Sequence, residues 1–225
     1  MKVYQLNENN VGILDHNYPG YQHGDALTKE GHVAHEAIKH DMSLFAEDLI
    51  KMYPNAKKFL DVGSGAGYIS ERIRELGNDY LSVTIDGNVE TRELPSINND
   101  YHFVVKTDDD YSLVDENKNI ILFDIITCFE HFEHIHPNKF DVFIEMIKRH
   151  MHKDSVLYAS AANWKYDQNN DNVHVNVKTE QEWEQEMIKH GFEKINKKLF
   201  NEINTSACAG RWSGTAELSY KLKNK

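Results

Sequence analysis

Residues 59–73, FLDVGSGAGYISERI, decide how the chain folds. A short apolar run, Phe59-Leu60-Asp61-Val62, stops at Gly63. Gly63, Gly65 and Gly67 then alternate with Ser64 and Ala66, and the pattern turns helical at Tyr68. That order predicts a strand, a tight turn and a helix. Such a turn needs residues that tolerate positive φ and carry no Cβ, so that backbone N–H groups at the helix start can face a ligand closely. The plain alternative is a glycine-rich surface turn.

Working outward, Asp86 ends the next apolar run, Leu81-Ser82-Val83-Thr84-Ile85. It lies about 20 residues beyond the turn, where nucleotide-binding α/β folds place a carboxylate for ribose hydroxyls. A GxGxxG fingerprint read from Gly63 requires glycine at position 68, but Tyr68 stands there and the third glycine is Gly67. This spacing weakens a nicotinamide-dinucleotide reading. The whole pattern of Asp61 within the strand, GSGAG, a helix and an acidic strand end at Asp86 resembles class I S-adenosylmethionine-dependent methyltransferases. Residues 123–135, FDIITCFEHFEHI, extend the resemblance to the small-molecule branch of that family, in which the fourth strand ends in a Glu-His-hydrophobic triplet, here Glu133-His134-Ile135.

Composition bounds the possibilities. A chain of 225 residues, 40% hydrophobic and 11% aromatic with 4 Pro, is an ordinary globular protein. It is long enough for one α/β domain that buries about 70% of its unfolded surface. A formal charge of −11, from 25 basic against 36 acidic residues, disfavours nucleic acid as an obligatory partner. The basic clusters at Lys194, Lys197 and Lys198 and at Lys221, Lys223 and Lys225 suit solvated strand faces. Cys128 and Cys208 make no disulfide framework, no signal-peptide core opens the chain, and the apolar run 120–129 is too short to span a membrane. A cytoplasmic protein is expected.

Taken in order, residues 1–28 read as irregular, and apolar spacing predicts one long helix or two short ones over 29–53, with a break near His40-Asp41. His23, His32, His35 and His40 superficially suggest metal ligands, as do His131, His134 and His136. With 13 histidines and no cysteine pair, chance clustering is the better reading, and no metal site is expected. Residues 68–76 are a helix, with Gly77 suited to a left-handed cap. Strands are expected at 81–85, 101–106, 121–128 and 156–161, and a polar exposed loop at 111–119. A helix over 138–151 has Phe140, Val142, Phe143, Met146 and Ile147 as its buried stripe. Thr179 and Glu182 form a capping box for a last helix, with Trp183, Met187 and Ile188 inward and Gly191 at its end. Strands near 193–203 and 215–222 follow without an intervening helix, so they must pair antiparallel.

The expected fold is therefore α/β: a Rossmann-like, mostly parallel seven-stranded sheet with a C-terminal antiparallel β-hairpin and helices on both faces. Residues 1–55 would form an irregular segment and a helix that lies over the pocket as a lid or packs on the sheet edge. Residues 56–225 would form the cofactor-binding domain, within a single domain overall.

The resemblance implies S-adenosylmethionine as cofactor and a small-molecule or sugar-like acceptor methylated on oxygen or nitrogen. It assigns Gly63, Ser64, Gly65 and Gly67 to cradle the methionine and ribose, and Asp61 to support that loop or the methionine ammonium. Asp86, followed by Gly87, would receive the ribose hydroxyls, Asp108 the adenine amino group, and main chain at Cys128 and Phe129 would complete the pocket. His134 and His174 are the candidate catalytic bases. Two other readings stand beside this one. A nicotinamide-dependent oxidoreductase would use the Tyr53…Lys57 spacing, although that pair precedes the glycine loop. A non-catalytic Rossmann-type binding module is the other.

Overall fold

The structure is a computed structural model that describes residues 2–5, 31–163, 167–168, 171–172, 174–195 and 215–223. In chain order the elements are β1 (Lys2–Gln5), α1 (Gly31–Met52), β2 (Lys58–Val62), α2 (Tyr68–Leu76), β3 (Leu81–Asp86), β4 (His102–Val104), β5 (Tyr111–Val114) and β6 (Phe123–Cys128). There follow α3 (Phe140–Arg149), β7 (Met151–Ala162), β8 (Asp167–Gln168), β9 (Asp171–Asn172), α4 (Glu180–Lys189), β10 (Phe192–Lys194) and β11 (Thr215–Leu222).

Seven strands make the main sheet in the order β10-β11-β7-β6-β2-β3-β4. β2, β3, β4, β6 and β7 run parallel, whereas β11 is antiparallel to both β7 and β10. This is the expected Rossmann-like sheet with its antiparallel C-terminal pair. The strand order reverses between β2 and β6, so the crevice beyond their carboxyl ends is where such a sheet binds ligands.

β6 is buried along almost its whole length because both its faces are covered. Asp124 interrupts the apolar run at the opposite end of the strand from the crevice, where its Oδ2 accepts from the N–H groups of Lys57 at 2.7 Å and Lys58 at 2.8 Å. On one face, Phe132, Phe140, Phe143 and the fully buried Trp183 pack edge to face or tilted, with ring centroids 5.3–5.8 Å apart. On the other, Met42, Phe45, Ala46 and Leu49 of α1 join Ile69 and Ile73 of α2 against Phe59, Ile125 and Tyr158 of the sheet. An ion pair from Arg72 to Glu47 at 2.6 Å ties the two helices.

Several expectations are corrected. α1 is continuous through His40 and Asp41, because Asp41 and Met42 are buried on the packed face and nothing there breaks the helix. Residues 2–5 form β1, parallel to β5, so the first residues are not irregular. β5 is in turn the correction to the exposed loop at 111–119: Tyr111, Ser112, Leu113 and Val114 are all buried, and only the turn from residue 115 onward is polar and open. Gly77 has φ 180, an extended conformation, so it is no left-handed cap. The capping box of Thr179 and Glu182 is present, but Ile188 points to solvent while Trp183 and Met187 are buried. On α3, Ile144 is buried and Val142 only half-buried.

Candidate active site

The loop after β2 is built as its glycines predict. Gly63 has φ +67 and its absent Cβ would lie 2.5 Å from the His131 ring, so the loop can pass His131 only with glycine there. Gly65 has φ +51, and a Cβ on it would meet no atom within 4 Å. Its backbone therefore borders open space at the switch point, and Gly67 leads directly into α2.

Asp86, at the end of β3, holds this loop. Its Oδ2 accepts from the Gly65 N–H at 2.8 Å, and its Oδ1 from the Asn88 N–H at 2.8 Å. Burial raises its pKa, while the N–H groups of Asn88, Gly65 and Gly87 pull it back. Asp61 is buried one strand over and accepts from the Thr127 hydroxyl at 2.7 Å. Burial pushes its carboxyl up to about 7, the Thr127 bond opposes that, and the Asp86 charge adds to it. Two acidic groups thus act on each other here, with the Arg74 charge opposing the rise at Asp61.

A third loop joins the same mouth. Val105 N–H donates to the Asp86 carbonyl at 2.8 Å, and Thr107 Oγ1 bonds His131 Nε2 at 2.8 Å. His131 thus braces the loops after β2 and β4 against the end of β6. Burial lowers its pKa to about 3, so it stays neutral and acts as a structural pillar. Asp108, the neighbour of Thr107, is buried, and neither of its carboxylate oxygens has a hydrogen-bond partner among the described residues. The same is true of the Ser64 hydroxyl.

Cys128 is fully buried at the end of β6, where burial raises its thiol pKa well above the usual value and makes it unreactive. Phe129 follows, half-buried, with its ring edge-on to Phe45 of α1 at 5.0 Å. Glu130 then takes φ +47, an uncommon value for a residue with a side chain, and accepts from the Ser160 hydroxyl at 2.7 Å. Phe132–His134 form one 3₁₀ turn that buries Phe132 and Glu133 and leaves His134 half-exposed. His174, 40 positions later in sequence, is buried with its ring edge-on to that of His134 at 5.0 Å.

The fold therefore gathers Asp61, Gly63, Ser64, Gly65, Gly67, Asp86, Gly87, Asp108, Cys128 and Phe129 around the carboxyl ends of β2, β3, β4 and β6. His134 and His174 form a pair just beyond β6. Sequence reasoning passed over Thr107, Thr127 and Glu130, and weighed His131 only as a metal ligand. The acidic spacing Glu130-x-x-Glu133 was the available signal for Glu130; the two threonines carry none. Of the early histidines, His40 is exposed, and the side chains of His23, His32 and His35 lie outside the described residues.

A parallel sheet of this order, with an acidic residue ending β3 opposite a glycine loop after β2, defines a class I, Rossmann-like cofactor-binding domain. A family model described as a methyltransferase domain matches residues 33–197, most of the chain, and the chain belongs to that family. The ubiquinone biosynthesis O-methyltransferase of Haemophilus ducreyi is 34% identical over 112 residues, a match that spans 48% of this chain and 46% of that protein. Among solved structures, the 1,6-didemethyltoxoflavin-N1-methyltransferase of Burkholderia thailandensis aligns with TM-score 0.59 at 12% identity, over 88% of each chain. An S-adenosylmethionine-dependent methyltransferase from Clostridium acetobutylicum aligns with TM-score 0.58 at 13% identity, over 87% of this chain and 98% of that one. The O-methyltransferase of a Brevibacillus brevis polyketide multienzyme, in complex with S-adenosylhomocysteine, aligns with TM-score 0.56 at 16% identity, over 96% and 85%. Among the described residues no helix is long and apolar enough to cross a membrane.

Proposed function

We propose that this protein transfers a methyl group from S-adenosylmethionine to an oxygen or nitrogen of a small-molecule or sugar-like acceptor. The observation that carries the reading is the contact of Asp86 with the Gly65 N–H at 2.8 Å, which sets an acidic strand end against a glycine whose Cβ side is open. The unpartnered polar atoms fit the same cofactor. Asp108 offers two buried acceptors to an adenine amino group, and Ser64 a buried hydroxyl. Asp61, whose carboxyl is pushed up to about 7, gains a counter-charge from a methionine ammonium. The ribose hydroxyls fall to Asp86, whose two oxygens hold more lone pairs than the backbone N–H groups of Gly65, Asn88 and Gly87 occupy.

When bound, S-adenosylmethionine supplies a methyl group on a positively charged sulfur, which keeps the electron pair of the broken S–C bond. The chain's part is to hold acceptor and methyl in line, a proximity effect worth several orders of magnitude. A hydroxyl acceptor must also lose a proton as the new C–O bond forms, and His134 and His174 are the groups in reach of that task. A cytoplasmic setting and no membrane or nucleic-acid partner belong to this reading.

The test is incubation of the chain with S-adenosylmethionine and panels of small hydroxyl and amine acceptors, following S-adenosylhomocysteine. Acceptor-dependent product supports the reading. Reduction or oxidation of a nicotinamide with the same panels, and no S-adenosylhomocysteine, would replace it with the oxidoreductase.

A further inference from the structure

We propose that Glu133, His134 and His174 form a binding site for one divalent transition-metal cation, which in turn holds an acceptor oxygen at the mouth of the cofactor crevice. One ligand atom from each of the three lies within 4.8 Å of the others. Ligands of a single ion stand about 2.0–2.2 Å from it, so small side-chain shifts bring all three into one coordination shell. The sequence spacing of the histidines gave no such indication, because His174 reaches His134 only through the fold.

Glu133 provides the independent sign of a ligand. Its side chain is completely buried, its Oε1 accepts the Ala162 N–H at 3.0 Å, and its Oε2 receives no N–H or hydroxyl donor among the described residues. The Glu130 carboxyl is its close neighbour and shares a side-chain hydrogen bond with it, and no lysine or arginine is among the groups that act on either carboxyl. A fully buried carboxyl beside a half-buried one, with no cation to pair them, is costly, and a metal ion supplies the missing charge. The site is also braced: the Asn176 N–H donates to the Glu133 carbonyl at 3.0 Å, fixing the His174 segment against the 3₁₀ turn, and the Ser160 hydroxyl holds the neighbouring Glu130 at 2.7 Å. Such outer contacts orient ligands before the ion arrives.

Two imidazoles with one carboxylate suit Mn²⁺, Co²⁺ or Zn²⁺ better than Ca²⁺ or Mg²⁺, which prefer oxygen-only shells. Positions left open on the ion would accept oxygen from the acceptor. A hydroxyl bound there would become acidic enough to give its proton to water near neutral pH, so that with the ion in place His134 and His174 serve as ligands instead of bases. This favours an oxygen acceptor, above all one with two neighbouring oxygens that can chelate. That role rests on the methyl-transfer reading, whereas the cation site does not.

The experiment uses the full chain without a polyhistidine tag, stripped with chelator and titrated with Mn²⁺, Co²⁺ and Zn²⁺ by calorimetry. Binding of S-adenosylhomocysteine is measured on the same samples. One ion per chain is expected, with affinity lowered at least about tenfold by His134→Ala, His174→Ala and Glu133→Gln while S-adenosylhomocysteine still binds. Cation binding without S-adenosylhomocysteine binding would uphold the site and sink the methyl-transfer reading. A chain folded by circular dichroism that takes up none of the three ions, or variants that bind them as tightly as the parent, would overturn the proposal.

Discussion

The Gly65 N–H donates to Asp86 Oδ2 at 2.8 Å, joining the loop after β2 to the end of β3. One carboxylate therefore shapes the loop and stands where ribose hydroxyls would arrive. Asp86→Ala should remove charged hydrogen bonds worth about 1.5–3 kcal/mol and weaken S-adenosylhomocysteine about 10- to 100-fold in calorimetry. Unchanged affinity would refute the ribose assignment.

Gly65 and Gly63 should respond differently to substitution. At Gly65 a side chain meets only open space, so Gly65→Val costs about 1–3 kcal/mol of backbone strain and should leave a folded chain that binds no cofactor. At Gly63 the added Cβ would run into the His131 ring, so even Gly63→Ala should lower the melting temperature by disturbing the pillar. Thermal unfolding and calorimetry on both variants check this. Normal cofactor binding by folded Gly65→Val would make the loop a plain surface turn.

Asp61 gives a pH dependence of definite sign. Its folded-state pKa of about 7 lies above the ordinary 3.8, so the folded chain holds a proton that the unfolded chain has lost. The associated stability is complete below about pH 4 and falls as pH rises toward 7. Asp61→Asn escapes that loss and keeps an acceptor for Thr127. In urea unfolding it should gain on the parent between pH 4 and 8, by on the order of 2–4 kcal/mol. A difference that does not change with pH would contradict the buried, protonated carboxyl.

Trp183 connects the last helix to the site through Phe132, which is edge-on to it at 5.6 Å and opens the 3₁₀ turn that carries Glu133 and His134. Trp183→Ala should destabilise the fold by about 3–5 kcal/mol in denaturant titration. A loss below about 1 kcal/mol would mean that α4 is not part of the core that positions the turn.

The parts legible in the sequence were those written by local pattern. The glycine loop, the strand ending at Asp86, the continuous apolar run of β6 and the Thr179–Glu182 cap each depend on residues close together in the chain. β1 and β5 escaped notice because each is a short strand whose strand partner is distant in sequence. Trp183 and Ile188 could not be sorted by hydrophobicity, since the face of α4 that meets the core is set by Phe132 and Phe140. At the site, the Thr107–His131–Gly63 pillar and the meeting of Glu133, His134 and His174 join loops from separate strands, so no spacing encodes them. Residues 196–214, where the hairpin strand was expected to continue and where Cys208 falls, lie outside the described residues.

The most direct measurement is calorimetric titration of the full chain with S-adenosylhomocysteine, alongside NADH. Binding of one S-adenosylhomocysteine per chain, lost in Gly65→Val and weakened in Asp86→Ala, with no heat from NADH, is the predicted result. A folded chain that shows no saturable heat with S-adenosylhomocysteine up to about 1 mM, a free energy of only about −4 kcal/mol, would contradict the central claim.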